Sequence, residues 1–247
     1  MTAYNRFTPK RIFEKLKQFA RRGTALVAPS LYGEPYYTCP LCGFRGPFVM
    51  AKTRTHALCP KCGSLERHRH QKLVLDRLAK EKLIDFDNAR CLQFAPDAVT
   101  PALRRYCREV VTADLSPKPG SIKLDMCAMD VADESYDIVY ASHVLEHIPD
   151  DLTALKEIER VLKPGGIAIL PVPAVQDHTV EYDAPDPNDD DHWRKVGYDY
   201  YQRYEKFFKT VKLYRASDFP GEFQTYVYDT IRNVRLEEET PVCVKSA

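Results

Sequence analysis

Four cysteines carry the strongest chemical signal in the chain. Cys39-Pro40-Leu41-Cys42-Gly43 recurs in form as Cys59-Pro60-Lys61-Cys62-Gly63, with sixteen residues between the pairs. Two residues between cysteines let a tight turn aim both sulfurs at one ion, and the following glycine tolerates the unusual backbone angles of such a turn. Two such turns make a tetrahedral set of thiolates that suits zinc, although the same turns also hold iron. With every position taken by sulfur no water can bind, so the expected metal is structural. Cys91, Cys107, Cys127 and Cys243 stand singly in apolar or strand-like stretches, where a thiol behaves as a small hydrophobe. His56, His68 and His70 lie near the pairs, but the cysteine set is complete without them, and they are expected at the surface or in packing. Arg67, His68, Arg69 and His70 form a polar run that faces either an anion or solvent.

A second constellation is His143, Glu146 and His147, at i, i+3 and i+4, which share one face of a helical turn. Either histidine can serve as a general base. Equally, Glu146 and His147 can simply order the turn by hydrogen bonds.

The elements that position these residues are legible from periodicity. Residues 8 to 22 read as a basic amphipathic helix, with Thr8 as cap and Pro9 in the first turn. Ser64 to Ile84 reads as a second helix, opened by Ser64-Leu65-Glu66-Arg67. From there short apolar runs alternate with helical ones. Strands are expected at Arg90–Ala95, Glu109–Ala113, Ser121–Leu124, Tyr136–Ala141, Ile167–Val172, Thr210–Tyr214 and Pro241–Lys245. Helices are expected at Pro101–Arg108, capped by Thr100, and at Asp151–Leu162, stopped by Lys163-Pro164-Gly165-Gly166. Strands joined by helices need crossovers, so the expected sheet is α/β, doubly wound, seven-stranded and mostly parallel. The boundaries expected are a helix over 1–30, a zinc-ribbon module with its linking helix over 31–86, and the α/β domain over 87–247.

The run from Tyr136 to Val172, YDIVYASHVLEHIPDDLTALKEIERVLKPGGIAILPV, resembles class I S-adenosylmethionine-dependent methyltransferases, above all the small-molecule branch typified by ubiquinone-biosynthesis enzymes. The resemblance implies a Rossmann-like fold, methyl transfer and S-adenosylmethionine as cofactor. It implies that Asp114, ending Val110-Val111-Thr112-Ala113, binds the ribose hydroxyls, with Leu115 beside it. It places Asp125 near the adenine amino group and Met126 against the ring, and it brings Ser142 to the same pocket. The family's glycine-rich turn is replaced here by Cys91-Leu92-Gln93-Phe94-Ala95-Pro96-Asp97, so Phe94, Ala95 and Pro96 must leave room for the methionine portion. The chain also resembles bacterial proteins that join a paired-cysteine segment ending in Ser-Leu-Glu-Arg-His-Arg to a glycine-poor domain of this kind. In ubiquinone-pathway relatives similar Glu-His positions are associated with a divalent cation, which implies His143, Glu146 and His147 as a candidate set. Residues 173 to 201 should overhang the pocket, making His178, His192, Arg194 and Tyr198 candidate substrate contacts, together with Glu181 and Trp193.

Residues 1 to 72 hold 14 Lys or Arg against 3 acidic residues, and the remainder holds 22 against 32. The asymmetry suits an anionic partner or contact between the two parts. It keeps open an RNA methyltransferase beside the small-molecule or glycan-precursor reading, and an inactive scaffold is the third alternative. Few aromatic residues surround the cysteine pairs, which disfavours base stacking. No apolar run is long enough for a membrane span and no cleavable leader is evident, so the cytoplasm is the expected location.

Overall fold

The computed structural model describes residues 20–26 and 35–246. Most of the amphipathic stretch expected at 8–22 lies outside the described residues, and 20–26 are helical. The described chain divides into two units, one holding residues up to His70 together with Ala216–Glu238, the other Gln71–Arg215 and Glu239 onward.

In the first unit, β1 (Tyr37–Thr38) and β2 (Arg45–Gly46) pair as an antiparallel hairpin. A separate antiparallel sheet joins β3 (Val49–Ala51) and β4 (Arg54–Leu58) to β13 (Tyr226–Asp229) and β14 (Val234–Glu237), in the order β14-β13-β4-β3. Residues 216–238, nearly 180 positions downstream, therefore belong with the cysteine module, whereas periodicity had placed them in the α/β domain. Arg69 shows why. It is 0% exposed, and its guanidinium donates to the carbonyls of Ala57 (2.8 Å), Ser64 (3.0 Å), Phe223 (3.0 Å) and Gln224 (2.7 Å) while lying over the Phe48 ring at 4.3 Å. The expected polar run thus faces neither solvent nor an outside anion at this residue; His68 and His70 are buried as well.

Helix α1 (Glu66–Glu81) starts in the first unit and continues into the second. Its first turn is closed by the Leu65 N–H donating to His68 Nδ1 at 3.1 Å. The Ser64 hydroxyl, expected as the cap, sits instead against sulfur, 3.3 Å from Cys39 Sγ and 3.2 Å from Cys62 Sγ.

The second unit is the α/β domain. Its strands are β5 (Arg90–Phe94), β6 (Glu109–Asp114), β7 (Ile122–Lys123), β8 (Tyr136–Ala141), β9 (Leu162–Ile169), β12 (Thr210–Arg215) and β15 (Glu239–Val244), in the order β12-β15-β9-β8-β5-β6-β7. The five from β9 to β7 run parallel, and β15 and β12 add antiparallel at one edge. All seven expected strands are present. Helix α2 (Thr100–Tyr106) has Pro101 in its first turn, and Thr100 is inside the helix, where its hydroxyl accepts from the Asp97 N–H at 3.0 Å rather than capping. Helix α3 (Asp151–Val161) is capped by Asp150, which accepts from the Thr153 N–H at 3.1 Å. Its Ala154, Leu155, Ile158 and Val161 face the core beside Leu92, Val139 and Ala168. A further antiparallel hairpin, β10 (Val180–Asp186) with β11 (His192–Lys195), lies in the stretch expected to overhang the pocket.

Candidate functional site

The four sulfurs of the first unit converge. Cys39 Sγ lies 3.6 Å from Cys62 Sγ and Cys42 Sγ 3.7 Å from Cys59 Sγ. A tetrahedral ion with Zn–S bonds near 2.3 Å holds its sulfurs about 3.8 Å apart, so the spacing fits. The two turns are copies of one geometry. In each, the first cysteine's N–H donates to a carbonyl five residues on, and the glycine N–H returns to the first cysteine's carbonyl at 2.9 Å. Gly43 (φ 71°) and Gly63 (φ 76°) both take the left-handed conformation that the turn demands. Burial, with neighbouring sulfurs, pushes the Cys42 thiol up to about 11.

In the second unit, the carboxyl ends of the central strands carry the other candidates. The chain goes from β5 to β6 and β7 on one side, then crosses back to β8 on the other, so the order reverses between β5 and β8. In open α/β sheets that reversal opens a crevice for ligands. The register sets Phe94 opposite both Ala113 and Ala141, and Asp114 opposite Lys123. Ala95, Asp114, Asp125 and Ser142 therefore stand along one edge, each on or just past a strand end. Phe94 and Met126 are buried, 3% exposed each, while Leu115 is 60% exposed. Asp114 and Asp125 use the same local turn, one oxygen of each accepting at 2.9 Å from the N–H two residues on, Ser116 and Cys127. Ser142 is buried and its hydroxyl accepts from Gln71 Nε2 at 2.9 Å.

The glycine-poor turn solves its problem at one residue. Ala95 has φ 47°, a left-handed value, with its N–H held by the Ala113 carbonyl at 3.0 Å. The backbone follows a path that glycine would take without strain, carrying only a methyl group. His143, just past β8, is left-handed too at φ 55°, with its N–H on the Pro171 carbonyl at 2.9 Å. Strained backbone therefore stands on both lips of the crevice, where such residues tend to serve function.

Leu145–His147 form one 3-10 turn. Glu146 is 0% exposed, and neither of its oxygens has a hydrogen-bond partner. His143 Nδ1 stands 3.3 Å from Glu146 Oε1, close enough for charge attraction though not aligned as a hydrogen bond, and His143 Nε2 is buried without a partner. Burial of Glu146 works toward a raised carboxyl pKa, but His143, the Glu146 backbone N–H and His147 together outweigh it and the net displacement is downward. The rings of His147 and His192 meet edge to face at 4.7 Å. Glu146, His147 and His192 each offer a ligand atom within 4.8 Å of the other two. His192 of β11 thus joins Glu146 and His147, which the sequence does not foresee, while His143 stands on the other side beside Glu146 Oε1.

The other candidates separate. Arg194, expected as a fork for a substrate anion, is 1% exposed and turned inward; it donates to the carbonyls of Leu145 (2.7 Å), Ile148 (2.8 Å) and Pro149 (3.0 Å) and to Glu181 (3.0 Å). A buried side chain with donors committed in this way is not offered to an outside anion. His178 is 86% exposed and lies 3.3 Å from Asp199. Tyr198 is 38% exposed. The sequence shows Arg69 only as part of a polar run and gives no sign of the pairs that Arg203 makes with Asp151 and Glu181, because burial of an arginine leaves no periodic mark.

Comparison with known proteins matches residues 94–170 to the methyltransferase domain family. Over 65 residues the chain is 42% identical to the sterol 24-C-methyltransferase of Aspergillus fumigatus, covering 26% of this chain and 17% of that protein. Over 124 residues it is 28% identical to the sterol 4-C-methyltransferase of Caenorhabditis elegans, covering 50% and 34%. The chain thus spans about a sixth and about a third of the length of these two curated relatives. Among solved structures, the 1,6-didemethyltoxoflavin-N1-methyltransferase of Burkholderia thailandensis, with bound 1,6-didemethyltoxoflavin and S-adenosylhomocysteine, superposes with a TM-score of 0.52 at 14% identity, over 73% of this chain and 79% of that one. A SAM-dependent methyltransferase from Archaeoglobus fulgidus superposes at 0.50 and 14%, over 71% and 94%. These neighbours share the fold, a Rossmann-like methyltransferase sheet. No helix among the described residues is long and apolar enough to cross a membrane.

Proposed function

We propose that the chain is an S-adenosylmethionine-dependent methyltransferase acting on a small molecule or glycan precursor, with a structural zinc ion held by Cys39, Cys42, Cys59 and Cys62. The observation that carries the reading is the single edge on which Ala95, Asp114, Asp125 and Ser142 meet at the point where the strand order reverses. Bound there, S-adenosylmethionine supplies a methyl group on a sulfonium, which any well-aligned nucleophile can take. Asp114 accepts from the two ribose hydroxyls, a task for which a carboxylate has the right pair of oxygens. Asp125 receives the adenine amino group, Met126 supports the ring, and Phe94 and Leu115 line the apolar side. The left-handed turn at Ala95 keeps side-chain atoms away from the methionine portion, and Pro96 stiffens it.

His143 is the base. Its Nε2 is buried without a partner, while Glu146 beside Nδ1 favours a proton there and leaves Nε2 free to receive one from the acceptor hydroxyl or amine. His147 and Glu146 are candidates for a divalent cation as well, since the orphaned carboxylate oxygens fit one, and a bound cation would lower the pKa of an acceptor hydroxyl. His178 and Tyr198 on the overhanging stretch remain candidate acceptor contacts. The sterol and toxoflavin relatives support a small acceptor; RNA gains no support from them.

Calorimetric titration of the full chain with S-adenosylmethionine and S-adenosylhomocysteine tests the proposal. Both should bind, and Asp114→Ala should weaken them at least ~10-fold, the value of lost hydrogen bonds to a charged group. Absence of heat with either ligand would leave only a methyltransferase-fold scaffold.

A further inference from the structure

Three independent observations converge on the β10–β11 hairpin. First, Glu146, His147 and His192 bring one ligand atom each within 4.8 Å of the others, although His192 lies 45 positions downstream of His147. Second, Glu146 is wholly buried, neither of its oxygens accepts a hydrogen bond, and Oε1 has the His143 ring beside it at 3.3 Å. A fully buried carboxylate with a single histidine beside one oxygen is poorly compensated, and a cation on it lowers that cost. Third, two residues beyond His192, on the same face of β11, Arg194 donates to the carbonyls of Leu145, Ile148 and Pro149, which flank Glu146 and His147 on both sides. Through Nε it also holds Glu181 on the opposite strand of the hairpin. Asp189 stands 3.5 Å from His192 Nδ1, the kind of carboxylate neighbour that keeps a proton on one ring nitrogen and leaves the other for a metal.

We propose that the hairpin completes a divalent-cation site, with Glu146, His147 and His192 as ligands and Arg194 as the positioning residue that seats the Leu145–His147 turn against β11. This rests on the cation reading of the turn given above and adds the ligand and the clamp. Two imidazoles and one carboxylate suit a borderline ion such as manganese, iron(II), cobalt(II) or zinc. Three protein ligands leave positions open for water or an oxygen of the acceptor. His143 stays outside the set and remains free to act as base.

The test is titration of the full chain with manganese(II), followed by electron paramagnetic resonance, after the cysteine site has been filled with zinc. Manganese prefers oxygen and imidazole to thiolate and does not compete there. One ion should bind per chain. His192→Ala and Glu146→Gln should each weaken it by about tenfold or more, and His143→Ala should leave it within about twofold. Arg194→Lys keeps the charge but loses the fork, and should weaken manganese about tenfold while S-adenosylhomocysteine affinity stays within about twofold. Dependence on His143 without dependence on His192 would overturn the hairpin's role and leave a cation on the turn alone. Equal loss of manganese and S-adenosylhomocysteine in Arg194→Lys would overturn its assignment as a positioning residue. Failure of the unsubstituted protein to bind manganese or cobalt would overturn the site and the cation reading together, with cofactor binding still judged by calorimetry.

Discussion

Ala95 shows how much one residue can compensate. The turn after β5 lacks the glycines typical of such domains, yet its backbone enters the left-handed region at φ 47° with alanine. An L-residue there bears about 1–2 kcal/mol of strain, which a glycine would relieve at the cost of a more flexible unfolded chain. Ala95→Gly should therefore stabilise the protein by about 0.5–1 kcal/mol in urea denaturation, without loss of S-adenosylhomocysteine binding. A destabilised variant would mean that the methyl group packs usefully and that the strain is smaller than the angle implies. Asp114 and Asp125, proposed for the cofactor, were legible through the resemblance of the segments that carry them. The angle at Ala95 was not, since alanine carries no mark of positive φ.

Helix α3 is held to the preceding loop by charge as well as by its apolar face. Glu157 Oε2 accepts from the Met129 N–H at 2.9 Å and pairs with Arg160, whose guanidinium also donates to the carbonyls of Met129 and Val131. The Arg160 charge holds the Glu157 carboxyl below its usual range. A depressed folded-state pKa favours the folded form once the carboxyl ionises, so the contribution is present above the unfolded value near ~4.3 and fades as pH falls through the folded value. Glu157→Gln should be less stable than the unsubstituted protein at pH 7, and the gap should close below about pH 4 when melting temperatures are compared across pH. A gap that persists unchanged into acid would assign the effect to packing. At this scale the helix itself was plain from its four-residue apolar spacing. The β10–β11 hairpin was not, because Asp183 to Asp191 reads as a polar, proline-interrupted loop and the strand pairing that orders it is tertiary.

At the scale of the whole chain, the first unit is discontinuous in sequence, and Arg69 is its internal joint. Replacing Arg69 with methionine would leave buried carbonyls of Ala57, Ser64, Phe223 and Gln224 short of a donor, each costing about 1–3 kcal/mol when unsatisfied. Arg69→Met should thus destabilise this unit by roughly 3 kcal/mol or more. Hydrogen exchange of the metal-loaded protein should show the loss in 37–64 and 219–229, with the strands of the second unit keeping their protection. Unchanged exchange in 219–229 would mean that the strand pairing of β13 with β4 suffices without the arginine.

The sequence alone determined whatever depends on neighbours along the chain: the two cysteine turns, the helix that follows them, and the seven strands and two helices of the α/β pattern. Local spacing decides these, because helix and strand periodicity and turn geometry act over a few residues. Tertiary structure decided what depends on residues far apart. It brought His192 to Glu146 and His147 while leaving His143 beside Glu146, turned Arg194 from a surface fork into a buried clamp, and joined residues 216–238 to the cysteine module. Burial of an arginine or the meeting of two histidines is a property of packing, and no periodicity in one segment records the segment that packs against it.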